Sequence, residues 1–242
     1  MATQKIDVLA IGAHPDDVEL GCSGTLLKLK SQGYKVGVVD LTRGELGTRG
    51  SEQTRDEETA EASKIMGLDA RINLGLADGF FTNDSEHQLK VIQAIRKFQP
   101  EIVLCNAIND RHPDHAKGSN LVSDACFYSG LQKIKSFDHI GETQNAWRPK
   151  AVYHYIQFWN IKPDFAVDIS EYINKKIEAV KAYKTQFYNP NSDEPETVIS
   201  KKGFIESVEY RAKDLGRIIG VNYAEGFTVE RTLGVNNLFD LI

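Results

Sequence analysis

The chain has 242 residues, 41% of them hydrophobic and 26% charged, with a formal net charge of −5. That apolar share can build a sizeable core, and mixed charge without a long like-charge block excludes a disordered chain. A net negative charge supplies no global field to attract a phosphate polymer or an anionic membrane, so neither nucleic acid nor a membrane is expected as a partner.

No basic segment leading into an apolar core opens the sequence, and no apolar run approaches the roughly 20 residues needed to cross a bilayer, so a cytoplasmic location is expected. One domain over residues 1–242 is expected, because α/β folds of this size often form a single unit. Cys22, Cys105 and Cys126 are widely spaced and form no CxxC pair. They are read as reduced, buried thiols rather than a disulfide framework or a thiolate metal site.

Along the chain, short apolar runs alternate with amphipathic segments. Strands are expected at Asp7–Ala13, Lys35–Leu41, Arg71–Leu74, Ile102–Asn106, Ala151–Gln157 and Phe165–Ile169. Helices are expected at Leu20–Gln32, Thr54–Met66, Ser85–Phe98, Asp114–Tyr128, Ser170–Phe187 and Phe204–Ile219. The alternation predicts an α/β, Rossmann-like fold, with a mainly parallel sheet covered by helices on both faces and ligands gathering at the carboxyl ends of the strands. Two polar, turn-rich stretches interrupt the pattern: the glycine-punctuated Thr42–Glu52, and Tyr188–Gly203, a long connection read as a lid or rim.

The chemistry concentrates at two strand ends. The first apolar run stops at His14-Pro15-Asp16-Asp17, and the run Glu101–Asn106 leads into Arg111-His112-Pro113-Asp114-His115. If a helix begins after Pro15, His14 and Asp17 converge on one point while Asp16 faces elsewhere. A third ligand is then needed, and His115 or His112 is the donor at hand. Two imidazoles and one carboxylate suit Zn2+, and three protein ligands leave room for a water whose pKa the metal lowers to about 7. Fe2+ suits the same set. Asp16 would be left to accept a proton, the remaining histidine to stabilise an oxyanion or protonate a leaving amine, and Asp114 to fix that histidine's tautomer. The plain alternative is that Asp16, Asp17 and Asp114 are helix caps and Pro15 and Pro113 helix starts. Finding both patterns at matching strand ends weighs against it. His87, His139 and His154 are isolated and read as surface or satisfied core groups.

Thr54-Arg55-Asp56-Glu57 fits a capping box with Thr54 as the cap. Arg55 then sits in a helix's first turn, where the macrodipole disfavours a cation by roughly 0.3–1 kcal/mol. An arginine that breaks a local rule is a candidate functional residue, as is Arg111 beside the second cluster. Gly12, Gly21 and Gly24 do not match G-x-G-x-x-G, and carboxylates fill the turn where a pyrophosphate would approach, so no nucleotide is expected.

Ala13-His14-Pro15-Asp16-Asp17-Val18-Glu19 together with His112-Pro113-Asp114-His115 resembles the signature pair of the PIG-L/LmbE-like zinc N-deacetylases. The likeness extends through Leu41–Gly50 and Arg55 to Tyr223-Ala224-Glu225-Gly226-Phe227, and looks most like the bacillithiol branch acting on N-acetylglucosaminyl malate. The resemblance implies His14, Asp17 and His115 as zinc ligands, Asp16 as general base, His112 supported by Asp114 at the oxyanion or as acid, and Arg55 as a sugar contact. Arg111 is added here as a partner for the malate carboxylates. Some relatives place a tyrosine from a mobile segment at the oxyanion, and Tyr188 is not aligned to it. The implied substrate is a small amino-sugar glycoside and the implied assembly a homo-oligomer, commonly a hexamer. Other readings are the same chemistry on another N-acetylglucosaminide or thiol conjugate, and a non-catalytic metal or sugar-binding module.

Overall fold

The computed structural model describes residues 5–240. Apolar runs form strands and the intervening segments form helices, in the order β1 (Val8–Gly12), α1 (Asp17–Ser31), β2 (Val36–Asp40), α2 (Glu52–Met66), β3 (Ala70–Asn73), α3 (Ser85–Phe98), β4 (Ile102–Cys105), α4 (Pro113–Ser129), β5 (Ala151–Tyr155), β6 (Phe165–Asp168), α5 (Ile173–Lys181), α6 (Phe204–Ile219) and β7 (Ala224–Val229). A short 3-10 turn follows at Leu238–Asp240. The seven strands make one sheet in the order β3-β2-β1-β4-β5-β7-β6. From β3 to β5 the pairing is parallel, while β7 runs antiparallel to both β5 and β6.

The expected α/β, Rossmann-like layering is present because the strand residues are apolar on both sides. Leu9, Ile11, Val39, Val103 and Cys105 pack on one face against Val91 and Ile95 of α3 and Leu121 and Val122 of α4. Val8, Ala10, Val36, Val38 and Leu104 pack on the other against Leu26 of α1, Met66 of α2 and Ala179 of α5. The three cysteines are free and buried, as expected. No helix among the described residues is long and apolar enough to cross a membrane.

Several expected boundaries move. The helix expected over Ser170–Phe187 is confined to Ile173–Lys181. The cap of α2 is Ser51, not Thr54: the Ser51 hydroxyl accepts from the Thr54 amide at 3.2 Å, and Thr54 Oγ1 accepts from the Ser51 amide at 2.7 Å. Arg55 therefore makes the first regular helical bond, to the Ser51 carbonyl, and does not follow directly on a cap. Strand β7 went unread because Ala224-Glu225-Gly226 breaks the apolar pattern with a glutamate and a glycine.

That glutamate repairs a break in α1. At Cys22 the backbone leaves the helical region, with φ −145° and ψ 15°, which interrupts the helical hydrogen-bond ladder. The Glu225 carboxylate accepts from the freed amides of Gly24 at 2.9 Å and Thr25 at 2.7 Å. Lys176 of α5 donates to the freed carbonyls of Glu19 at 3.0 Å and Leu20 at 2.8 Å, and pairs with Glu225 at 2.7 Å. Both charges are almost fully buried, so each depends on the other. Replacing Lys176 by Met leaves Glu225 without its counter-charge and the Leu20 carbonyl without its donor, and is expected to lower unfolding free energy by about 3–5 kcal/mol in urea titration. A loss no larger than that of a surface substitution, about 0.5 kcal/mol, would show that the pair contributes nothing.

Candidate active site

Strand order reverses between β1 and β4, because β1 continues through α1 to β2 on one side while β4 lies on the other. Crossovers that diverge in this way leave a crevice beyond the carboxyl ends of the two strands. His14 and Asp16 follow β1, Asp17 opens α1, and His112 and His115 stand at the start of α4 after β4. Both sequence clusters therefore meet at one place.

The capping alternative separates residue by residue. Asp16 occupies the N-cap position of α1, yet its side chain makes no capping bond. Its φ of 108° is left-handed, a strain of order 1–3 kcal/mol for a residue with a side chain. His112 does cap α4: its Nδ1 accepts from the Asp114 amide at 3.3 Å, which directs the Nε2 hydrogen of the neutral ring elsewhere.

Asp17 lies at the centre of the cluster. Oδ2 accepts from the His14 amide at 2.9 Å and from Asn106 Nδ2 at 3.0 Å, and lies 3.4 Å from His14 Nδ1. Oδ1 accepts from Gln157 Nε2 at 2.9 Å and lies 3.1 Å from His115 Nε2. The far side of each imidazole is also held. His115 Nδ1 meets Asp110 at 2.5 Å, while His14 Nε2 meets Asp78 at 3.0 Å and Asp114 at 3.3 Å. Ring nitrogens of His14, His112 and His115 fall within 4.8 Å of one another, and so do donor atoms of His14, Asp78 and Asp114.

The electrostatics fit a divalent cation. Burial alone would lower the His14 pKa, but the Asp114, Asp17 and Asp78 carboxylates around its ring outweigh it and hold the pKa well above the usual value. Burial is likewise overcome at His115, where the Asp17 charge and the Asp110 bond raise the pKa to about 9. Burial would raise the Asp17 pKa, but the neighbouring His115 and His14 hold it well below the usual carboxylate range. Protons on two imidazoles thus occupy a pocket built to favour positive charge, which a metal ion would supply in their place. His112 behaves differently, its pKa lowered by burial and by the charges of His14 and His115.

Arg55 reaches this cluster from α2, donating from Nη1 to the Pro15 carbonyl at 2.7 Å and to Asp16 Oδ2 at 3.3 Å. Gly44 lies against it with a φ of 67°, and a Cβ there would come within 3.1 Å of the guanidinium. Asp114 does not make the expected contact with the His112 ring. Its carboxylate instead accepts from the Gly79 amide at 2.8 Å, pairs with Lys117 at 2.6 Å and faces His14. Arg111 is exposed, its guanidinium 5.0 Å from the Phe158 ring centre.

These groups open on a cavity of about 1350 Å³ lined by His14, Asp16, Asp17, Arg55, Arg111, His112 and His115, and farther out by α6. Segment 188–203 contributes Glu196 to Ile199 to the rim. It is tied to the glycine loop by Arg49 donating to Ser192 Oγ at 2.8 Å and by the Gly50 amide donating to Glu194 at 2.7 Å. Tyr188 is half exposed and is not a lining residue.

Asn106, Gln157, Asp78 and Asp110 escaped sequence reading. Asn106 and Gln157 are the polar ends of apolar runs, a signal as visible as that of His14, but a lone amide has no motif. Asp78 and Asp110 lie in loops with no pattern at all.

Similarity to known proteins places the chain among amidohydrolases. The sequence profile of the PIG-L family, described as GlcNAc-PI de-N-acetylase, matches residues 9–126. The conserved protein TT1542 of Thermus thermophilus has a structure similar to this one with a TM-score of 0.84 at 37% identity, covering 96% of this chain and 98% of that one. Diacetylchitobiose deacetylase of Thermococcus kodakarensis is 29% identical over 230 residues, 90% of this chain and 81% of that protein. Probable N-acetyl-alpha-D-glucosaminyl L-malate deacetylase 2 of Bacillus anthracis is 26% identical over 196 residues, 74% of this chain and 81% of that protein. The chain belongs to the PIG-L/LmbE family of N-deacetylases. Within it the bacillithiol branch is not singled out, since the diacetylchitobiose enzyme shares more identity over a longer span.

Burial raises the Asp16 pKa to about 7, with the Arg55 charge acting in the opposite direction. In the metal-free protein Asp16 is therefore protonated below about pH 7 and ionised above it. Replacing Arg55 by Met removes the opposing charge, so the midpoint is expected to move to higher pH in carboxyl carbon-13 NMR. An unchanged or lower midpoint would show that Asp16 does not feel the guanidinium.

Proposed function

We propose that this enzyme hydrolyses the N-acetyl group of N-acetylglucosaminyl malate, giving glucosaminyl malate and acetate, with Zn2+ or another divalent metal such as Fe2+ held by His14, Asp17 and His115. The observation that carries the reading is Asp16, a buried carboxylate lining the cavity that caps no helix and is not needed for coordination. A divalent ion on those ligands supplies Lewis acidity and a water of lowered pKa.

The chain's own residues supply the remaining steps. Asp16 accepts the proton of the water that adds to the acetyl carbonyl, and returns it to the nitrogen as the amide bond breaks. Arg55 keeps the Asp16 carboxylate ionised and oriented. His112, neutral by its lowered pKa and with Nδ1 engaged by the Asp114 amide, donates its Nε2 hydrogen to the developing oxyanion. Asp114 anchors His14 and the start of α4, and Arg111 is the contact for a carboxylate of the aglycone.

A second reading, a neutral aglycone such as a further sugar ring, draws on the greater identity to diacetylchitobiose deacetylase. Amine release by metal-loaded enzyme from N-acetylglucosaminyl malate, diacetylchitobiose and free N-acetylglucosamine separates the two. The highest kcat/KM is expected for the malate glycoside. Preference for the disaccharide overturns the aglycone, and no amine from any of the three overturns the reaction.

Replacing Asp16 by Asn is expected to keep metal content and lower kcat by about 10²–10⁴. Full turnover in that variant would remove Asp16 as the base. Replacing His14 or Asp17 by Ala should lower the metal bound per chain, measured by elemental analysis after dialysis. Wild-type metal content would take that residue out of the ligand set.

A further inference from the structure

The cavity is larger than its chemistry requires. Pockets for drug-sized ligands occupy roughly 300–1,000 Å³, and here about 1350 Å³ extends from the metal cluster along α6. This outer part is largely apolar, with Ile156, Phe158, Ile161, Phe204, Val208 and Leu215 among its lining residues.

Arg211 of α6 interrupts that apolar wall. Its Nη1 donates to the Gln157 carbonyl oxygen, and this is the one hydrogen bond it makes among the described residues. A guanidinium carries five donors, so most of its capacity is left for a ligand. The acids on the same wall are already paired: Asp214 with Arg217 at 2.9 Å, Glu196 with Lys201 at 4.0 Å, and Asp110 with His115 at 2.5 Å. Burial lowers the Arg211 pKa from its ordinary value although the charges of Asp110 and Glu225 act in the opposite direction, and no carboxylate is hydrogen-bonded to its guanidinium among the described residues. Arg111 lines the same cavity, stacked on Phe158.

We infer that Arg211, with Arg111 lining the same cavity, recognises a carboxylate on the group attached to the amino sugar. A planar fork of donors in a partly apolar wall matches a carboxylate bidentately and discriminates against a neutral aglycone. The inference rests on the deacetylase reading for the identity of the sugar, but not for the presence of the anion subsite. Arg211 is bonded to the backbone of Gln157, whose side chain holds Asp17, so a purely structural role predicts something different. It would weaken every substrate alike.

The test measures binding by calorimetry to the metal-loaded Asp16→Asn protein, in which substrate is not consumed. The probes are N-acetylglucosaminyl malate and methyl N-acetylglucosaminide. Adding Arg211→Gln is expected to lower the ratio of the two affinities about tenfold, and Arg211→Lys to restore part of it. An unchanged ratio, whether both ligands weaken together or neither does, overturns the subsite, as does a malate glycoside that fails to bind at all. If the wild-type enzyme releases no amine from any glycoside, the deacetylase reading fails while the affinity ratio still decides the role of Arg211.

Discussion

The site depends on how the carboxylate of Asp17 is held. It takes hydrogen bonds from the backbone of β1's exit, from Asn106 beyond β4 and from Gln157 beyond β5, so three strand ends are fixed around two oxygen atoms. Asn106 also accepts from the Ala13 amide at 2.8 Å, and Gln157 accepts from the Ala107 amide at 3.1 Å. Each amide thus binds its neighbours as well as the acid. Fixing Asp17 in this way fixes the distance from β1 to β4, and with it the separation of His14 from His115.

Such an arrangement is costly in a low-dielectric crevice unless every charge has a partner. The partners are present, and they are graded. His115 has one carboxylate on each ring nitrogen, and His14 has Asp17 on one side with Asp78 and Asp114 on the other. Asp16 has only Arg55 and is the carboxylate whose pKa burial raises to about 7. Two neighbours in sequence are driven in opposite directions by their surroundings, one firmly ionised and one poised near neutrality. That divergence is what a site needs in order to bind a cation and move a proton with the same residue type.

How much of this could be read from the sequence follows from how local each signal is. The strands from β1 to β6, and the two clusters at the ends of β1 and β4, are runs of adjacent residues whose spacing is visible in one dimension. The separate surroundings of Asp16 and Asp17 were legible in His14-Pro15-Asp16-Asp17 because their divergence is a property of one turn. Strand β7 was hidden because Glu225 and Gly226 answer to α1 and to Ile156, Pro163 and Leu215 and not to strand pattern. A Cβ at Gly226 would lie 3.1 Å from Ile156 and Pro163, a tight approach that those side chains would have to yield to. The Ser51 cap was missed by three residues, since Thr54-x-x-Glu57 matches the usual Ser/Thr-x-x-Glu box whereas the real one closes on the Thr54 hydroxyl. Arg211 carries no motif: its place in the cavity wall emerges only when α6 packs on β7 and β6 and brings it to the Gln157 carbonyl beyond β5.

The repaired break in α1 bears on how the molecule is made. The turn carrying Asp17 is separated from the rest of its helix at Cys22, and its amides and carbonyls are completed by Lys176 and Glu225, the latter 200 residues later than Thr25. A growing chain on the ribosome can pair β1 with β2 early, but it cannot complete this junction until its final strand has been synthesised. The junction behind the turn that carries Asp17 is therefore completed only once β7 is available, however much of the parallel sheet has already formed.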